Sequence, residues 1–356
     1  MPGSETPTTH ATRRLAWTGS GGRRPWVPRW AKTTLIRARR RAIWARLHAK
    51  LLRNRTLWSL QGVLYFPPRI LIVQIEHPTL GMFAHLRWCL DFLCLCEEHG
   101  LEPYFILASP QYRDPQRGPN WFDYFFVHAH LSEEDRKVVD ERIARGRVRR
   151  IRWSDDILYR AYDDELTLQE AHRLLQKYIR IQPWVQEKVD QFARRHLDGR
   201  HVLGVHYRGT DRGSEAPKAS YDSMADLVRR YLEHVPATDA VFVATDESEF
   251  SLYMQERLRG VEVLRYQATQ ISDDDTPIHK MAGGDPYLRG EEALLDCLLL
   301  SRCSYLIKCP SLLSAWSVVL APDLPVTMVN SRYASARAFP DDLFPIDNIP
   351  HTKAAR

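Results

Sequence analysis

Short apolar runs rich in Val, Ile and Leu alternate with helix-length stretches along most of this chain, and no other feature limits its fold as much. His201-Val-Leu-Gly-Val-His206, Ala240-Val-Phe-Val-Ala244, Val261 to Tyr266, Tyr305-Leu-Ile-Lys308 and Val326-Thr-Met-Val329 are separated by helical patterns around Tyr221–His234, Glu249–Leu258, Arg289–Cys303 and Ser311–Leu320. Runs this apolar suit strands buried on both faces, and strands joined through helices pair in parallel. An earlier series has the same form: Arg69-Ile-Leu-Ile-Val-Gln-Ile75, a turn at Gly81, an apolar helix from Met82 to His99, then Tyr104-Phe-Ile-Leu107. Asn120 to His128 reads as a further strand or an aromatic wedge, Val148 to Trp153 as a strand, and Leu166 to His196 as helix with a break at Pro183.

Two such series meeting near residue 197 predict an α/β protein of two Rossmann-like domains facing a central cleft. The expected division is a basic N-terminal arm at 1–60, one domain at 61–196, a second at 197–330 and a tail at 331–356 that returns to the first half. A length of 356 residues supports two cores of ordinary size. In such folds ligands sit at the carboxyl ends of the strands.

The formal charge of +6 is unevenly spread. Residues 1–60 hold 14 Lys and Arg against one acid, Glu5, whereas the remainder carries 36 basic and 43 acidic residues. The overall basicity therefore gives no argument for nucleic-acid binding; an anionic partner belongs at the arm or at a local site. Between Trp30 and Trp58, Ile36, Ile43, Trp44, Leu47 and Leu51 recur at helical spacing among Arg37, Arg39, Arg40, Arg41, Arg46 and Lys50. Two readings fit: a basic amphipathic helix on an anionic membrane surface, or a helix packed on the domain with a solvated basic face.

Six cysteines, Cys89, Cys94, Cys96, Cys297, Cys303 and Cys309, lie in or beside leucine runs, which is core usage rather than a disulfide or zinc framework. The first thirty residues contain no apolar core of the kind a secretory signal needs, and no run is long enough to span a bilayer. A reduced, cytoplasmic or peripheral-membrane setting is the expectation.

The densest polar cluster follows the most apolar run: His206-Tyr-Arg208-Gly-Thr-Asp211-Arg212-Gly-Ser-Glu215. A permanently charged, planar guanidinium at a strand end suits bidentate pairing with phosphate, so Arg208 is the candidate phosphate clamp. A mixed-charge surface turn would have the same composition.

Three motifs in order, His206-x-Arg208-x-x-Asp211 with Glu215, Ala244-Thr-Asp246-Glu247, and Asp296-Cys-Leu-Leu-Leu-Ser301 leading to Ser311, resemble those of the α1,6-fucosyltransferase superfamily. That group includes the rhizobial nodulation fucosyltransferase, the core N-glycan fucosyltransferases and, more distantly, protein O-fucosyltransferases. The match spans mainly residues 201–320, and its ordered spacing makes it far more specific than any single motif. The resemblance implies a GT-B fold, a GDP-sugar donor, most often GDP-fucose, inversion at the anomeric carbon and no required metal.

By the same resemblance, Arg208 contacts the donor diphosphate, while His206 and Asp296 read guanine. Ser311, with Ser314 close by, is the hydroxyl near the phosphate, Asp246 is needed for activity, and Gly81 lets backbone amides approach the pyrophosphate. Glu215 matches a proposed general base and Asp211 is its rival, or a structural partner of Arg208. Arg212 stands where those enzymes have lysine and cannot relay a proton.

Asp273-Asp-Asp275 satisfies a metal-binding pattern but reads as a solvated loop, within a segment Ile271 to Tyr287 expected to be a flap. The expected activity is transfer of a sugar, L-fucose first, from a GDP-sugar to a hydroxyl of a glycan or other acceptor. Its alternatives are a catalytically inactive nucleotide-sugar or glycan-binding protein of the same fold and an adaptor acting through the basic arm.

Overall fold

The computed structural model describes residues 34–35, 38–46, 48–49, 70–145, 151–152, 161–209, 218–266, 284–329 and 339–347. The first half runs β1 (Ile70–Ile75), α1 (Met82–His99), β2 (Glu102–Leu107), α2 (Phe122–Phe125), β3 (Phe126–His128), α3 (Glu133–Ala144), β4 (Ile151–Arg152), α4 (Leu168–Tyr178), β5 (Ile179–Ile181) and α5 (Pro183–His196). The second half runs β6 (Val202–Tyr207), α6 (Tyr221–His234), β7 (Ala240–Thr245), α7 (Ser248–Arg257), β8 (Glu262–Leu264), α8 (Pro286–Leu300), β9 (Tyr305–Lys308), α9 (Leu312–Leu320) and β10 (Val326–Met328).

The alternation becomes two parallel sheets. The smaller has the order β2-β1-β4, with Ile72 opposite Tyr104 and Val73 opposite Ile151. The larger has the order β10-β9-β6-β7-β8, with His206 flanked by Lys308 on one side and Ala244 on the other. Counted in chain order, the larger sheet reads 3-2-1-4-5, the doubly wound arrangement, and its winding reverses between β6 and β9. Every residue of β6, β7 and β9 is buried, which is why these strands read as unbroken apolar runs.

Local chemistry fixes the element ends. Gly100 closes α1 in the left-handed conformation at φ 62°, and Leu101 N–H reaches back to the Cys96 carbonyl at 2.8 Å. Asp285 caps α8, accepting from Tyr287 and Leu288 N–H at 2.8 and 3.3 Å, with Pro286 opening the helix. Leu166 to His196 is not one interrupted helix. Ile179-Arg-Ile181 alternates apolar and polar, pairs antiparallel with β3, and hands over to Pro183 at the start of α5. Within Asn120 to His128 a short helix precedes the strand, and Trp121, Phe122 and Phe125 are fully buried.

One buried cluster joins side chains of both halves, from Leu71 and Phe105 to Leu306 and Val319. The helices α1 and α4 pack on α9, and α5 on α8. A β-carbon on Gly290 of α8 would fall 2.8 Å from the Phe125 ring and 3.0 Å from Met82 Cε, so glycine is what permits this approach. All six cysteines are free thiols; Cys94 is partly buried and the others fully. No helix among the described residues is long and apolar enough to cross a membrane.

In the basic arm, residues 38–46 are helical and packed on the first half. Ile43 is buried, Trp44 stacks on the His99 ring at 3.5 Å between centroids, and Arg40 donates to the Ala161 carbonyl and pairs with Glu165 at 2.8 Å. Arg39, Arg41 and Arg46 are exposed, so the docked helix keeps a solvated basic face. At the other end of the chain, residues 339–347 lie mainly on the second half rather than the first. Asp341 pairs with the wholly buried Lys308 at 2.6 Å, and Met328 N–H bonds the Pro345 carbonyl at 2.8 Å. Phe339 nevertheless reaches the first half, lying 5.7 Å from the Arg87 guanidinium.

Candidate functional site

Where β6 and β9 part, the two following loops form the crevice that a doubly wound sheet offers to ligands. Arg208 immediately follows β6, and its N–H donates to Cys309 Sγ at 3.1 Å. Cys309 N–H in turn donates to the His206 carbonyl at 3.1 Å. These bonds fix the two strand ends against each other, with His206 buried between Lys308 and Ala244.

Across the crevice, Ser311 caps α9 and is almost wholly buried, yet its Oγ has no hydrogen-bond partner among the described residues. A buried hydroxyl without a partner is costly, and here it stands at the positive end of a helix dipole. Ser314 differs: its Oγ donates to the Ser311 carbonyl at 3.4 Å, within the helix. Of the two serines, only Ser311 has a hydroxyl without a hydrogen-bond partner among the described residues.

The turn that follows the smaller sheet's β2, Pro110–Tyr112, packs on α8 of the second half. Tyr112 Oη accepts from Met82 N–H, the first amide of α1, at 2.8 Å. Burial pushes the Tyr112 phenol up to about 12, opposed by that amide and by the charges of Arg289 and Arg208. Both guanidinium groups thus lie within electrostatic reach of one hydroxyl. Arg289 comes from the first turn of α8, is buried, and donates to the Gln111 carbonyl at 3.2 Å. Behind Tyr112, His85 bridges the Ser109 hydroxyl and the Gly81 carbonyl, the latter at 2.9 Å. Ser109 Oγ also accepts from His77 N–H at 3.0 Å, so its proton points to His85 Nε2, and the neutral ring donates from Nδ1. Burial holds that ring neutral, lowering His85 to about 4.

Asp296 lies on α8, partly buried. Desolvation pushes its carboxyl up to about 7, the Arg265 charge pulling it down and Glu292 raising it further. Arg265 follows β8, and its Nη2 is buried without a hydrogen-bond partner among the described residues. A carboxylate and a guanidinium are therefore held near each other at the far side of the same sheet end.

The remaining candidates fall into three groups. Asp246 is placed on the loop itself, its Oδ1 accepting from Gly209 N–H at 3.1 Å, and so holds the residue after Arg208. Gly81 departs from expectation. Its φ of −69° is open to any residue, a β-carbon would meet only Tyr112 Oη at 3.7 Å, and Tyr112 already occupies the Met82 amide. Its carbonyl, accepting from His85, is the part in use. Asp211, Arg212, Glu215 and the Asp273–Asp275 loop lie outside the described residues. Among the described residues no group of three or more His, Cys, Asp or Glu side chains is placed to hold a metal ion. Arg289, Arg265 and Tyr112 carry no motif, and only folding brings Arg289 against the Gln111–Tyr112 turn and Arg265 towards Asp296.

No family model matches the chain, and no curated protein matches it. Among solved structures, fucosyltransferase NodZ from Bradyrhizobium is 18% identical, with 71% of this chain and 94% of that one covered and a TM-score of 0.48. NodZ alpha-1,6-fucosyltransferase soaked with GDP-fucose is 17% identical over 71% and 93% of the two chains, with a TM-score of 0.45. POFUT1 in complex with GDP-fucose is 10% identical over 76% and 99%, with a TM-score of 0.43.

Proposed function

We propose that this chain is an inverting glycosyltransferase that takes a sugar, fucose first among candidates, from a GDP-sugar and places it on a hydroxyl of a glycan or other acceptor. One observation carries the reading: Arg208 and the Ser311 hydroxyl, which has no hydrogen-bond partner among the described residues, flank the winding reversal of a 3-2-1-4-5 sheet. Fixed positive charge, a spare hydroxyl and a helix N-terminus together suit a diphosphate. The three sequence motifs support the choice of GDP; fucose comes first because the family they resemble mostly uses it, and neither Arg208 nor Asp296 is assigned to the hexose.

In this reading the acceptor oxygen attacks the anomeric carbon as the bond from that carbon to the phosphate oxygen breaks, and GDP departs. Negative charge grows on the diphosphate in the transition state, where Arg208 stabilises it without changing its own protonation. Ser311 donates to a phosphate oxygen, which satisfies its hydroxyl. Asp296, once ionised, accepts from the N1 and N2 hydrogens of guanine, a pattern that uracil cannot offer. The acceptor proton passes to Glu215 or Asp211. Charge compensation is assigned to guanidinium groups, so turnover is expected to persist in EDTA.

A thermal-shift panel tests the proposal, because a ligand that binds the folded state raises the melting temperature by mass action. GDP and GDP-fucose are expected to raise it and UDP-sugars to leave it unchanged. A chain unmoved by every guanine nucleotide contradicts the reading. One that binds GDP but never releases it from GDP-fucose, with or without acceptors, is an inactive binding protein.

A further inference from the structure

Arg208 can hold a diphosphate only if the backbone beneath it is fixed, and besides Cys309 and Asp246 a third residue bears on that backbone. Glu247, next to Asp246 at the end of β7, is buried. Its carboxylate lies directly on the α-carbon of Gly209: a β-carbon there would fall 1.6 Å from Oε1 and 1.9 Å from the carboxyl carbon. The same carboxylate accepts from Tyr221 Oη at 2.6 Å on one oxygen and from Lys218 Nζ at 3.2 Å on the other. Its own N–H donates to Thr245 Oγ1 at 3.1 Å, which sets the turn out of β7. Glu247 therefore touches Gly209 before residues 210–217 and Lys218 and Tyr221 after them.

We infer that Glu247 is a positioning residue for the diphosphate site, acting through Gly209 on the adjacent Arg208; this rests on the GDP-sugar reading above. The side chain is already engaged at both oxygens by Tyr221 and Lys218 and packs against the Gly209 backbone, so it acts on the position of Gly209 and does not meet substrate. It works with Asp246, which takes the Gly209 N–H from the same turn at 3.1 Å. Burial and the Glu247 charge both raise the Tyr221 phenol, keeping it the donor in this pair. Glycine at 209 is required by the close approach of the carboxylate. A methyl there must either swing Glu247 off Tyr221 and Lys218 or push the backbone, and Arg208 with it, away from β7.

A double-mutant cycle over Gly209 and Glu247 tests this, with calorimetric GDP binding, donor turnover and melting temperature measured for each variant. Gly209→Ala and Glu247→Ala are each expected to lower kcat/KM for the GDP-sugar about 100-fold, the scale of an ångström-sized misplacement of a catalytic group. Adding Gly209→Ala to Glu247→Ala is expected to change little more, because the carboxylate it would strike is gone. Tyr221→Phe, which removes only one bond, is expected to lower kcat/KM about tenfold with the fold retained. A purely structural role would lower the melting temperature while leaving GDP affinity and turnover per folded molecule intact. If wild type binds GDP and the single variants bind and turn over within about twofold of it, the positioning role is overturned and the function stands. If wild type binds no GDP, the function reading falls and this role with it.

Discussion

The two parallel sheets end in similar turns, each with a buried serine, but leave those two hydroxyls in opposite states. At the end of β1, the Ser109 hydroxyl serves His77 N–H and His85, whose ring donates to the Gly81 carbonyl, and beside them Tyr112 Oη accepts from Met82 N–H. At the end of β6 and β9, the Ser311 hydroxyl is buried without a partner among the described residues and Arg208 stands beside the crevice. At the first end the serine hydroxyl and the imidazole are spent on the fold itself, although Gln111 Oε1 beside them is buried without a partner among the described residues, and this end forms a wall. The second keeps an unsatisfied donor next to fixed positive charge, which is the state expected of a surface completed by an anion.

Substitutions that separate wall from site give the sharpest contrast. Arg208→Ala is expected to cut donor turnover about 10²–10³-fold while the melting temperature stays near that of wild type. Steady-state kinetics beside a thermal melt would show it, and retained turnover would erase the distinction between the two ends.

Stability against pH should carry opposite signs at the two places. His85 has a folded pKa of about 4 against about 6.5 unfolded, so its contribution is present above pH 6.5 and is lost as pH falls through 4. Asp296 is raised to about 7, so the contribution of its proton is present below the unfolded value and is lost as pH rises through 7. Each effect is on the order of 3 kcal/mol, less for Asp296 because part of its side chain meets solvent. Asp123 in the first half is likewise raised to about 7 by burial and the nearby Asp140 charge, so Asp296→Asn is needed to isolate the site's share of the alkaline loss. GDP affinity should strengthen between pH 6 and 8 in wild type as Asp296 ionises, and this dependence should vanish in Asp296→Asn.

A serine on each side supplies a smaller but cleaner reciprocal test. Ser109→Ala removes the hydroxyl that serves both His77 N–H and His85, and is expected to cost about 1–3 kcal/mol of stability with GDP affinity unchanged. Ser311→Ala removes a hydroxyl with no partner among the described residues, and is expected to weaken GDP binding about tenfold with stability unchanged or slightly raised. Denaturant melts and calorimetry on the two variants should give mirror-image results.

Much of the scaffold was legible in the chain. The helix Met82–His99 and the strands of the larger sheet stand where apolar periodicity put them, because buried parallel strands have a composition that little else mimics. Strand order was not legible, since pairing is decided by packing between segments far apart in sequence. Ile179–Ile181 was hidden because three residues are too few to show a period of two between two helices. At the site, Arg208 and Ser311 were readable as strand-end residues with suitable chemistry. Arg289 was not, because it stands in the first turn of a helix outside any motif, and Glu247, though part of the second motif, showed no role because it meets Gly209 only after folding. Gly81 shows the converse, a glycine in a promising turn whose backbone angles need no glycine.

The central claim is that the crevice between β6 and β9, and not the end of β1, receives the nucleotide diphosphate. Hydrogen exchange of the whole chain, read peptide by peptide with and without GDP, compares the two directly. Slower exchange at residues 202–209 and 305–314, lost in Arg208→Ala, is the predicted result. Protection confined to residues 75–85, or absent throughout at saturating GDP, would contradict the account.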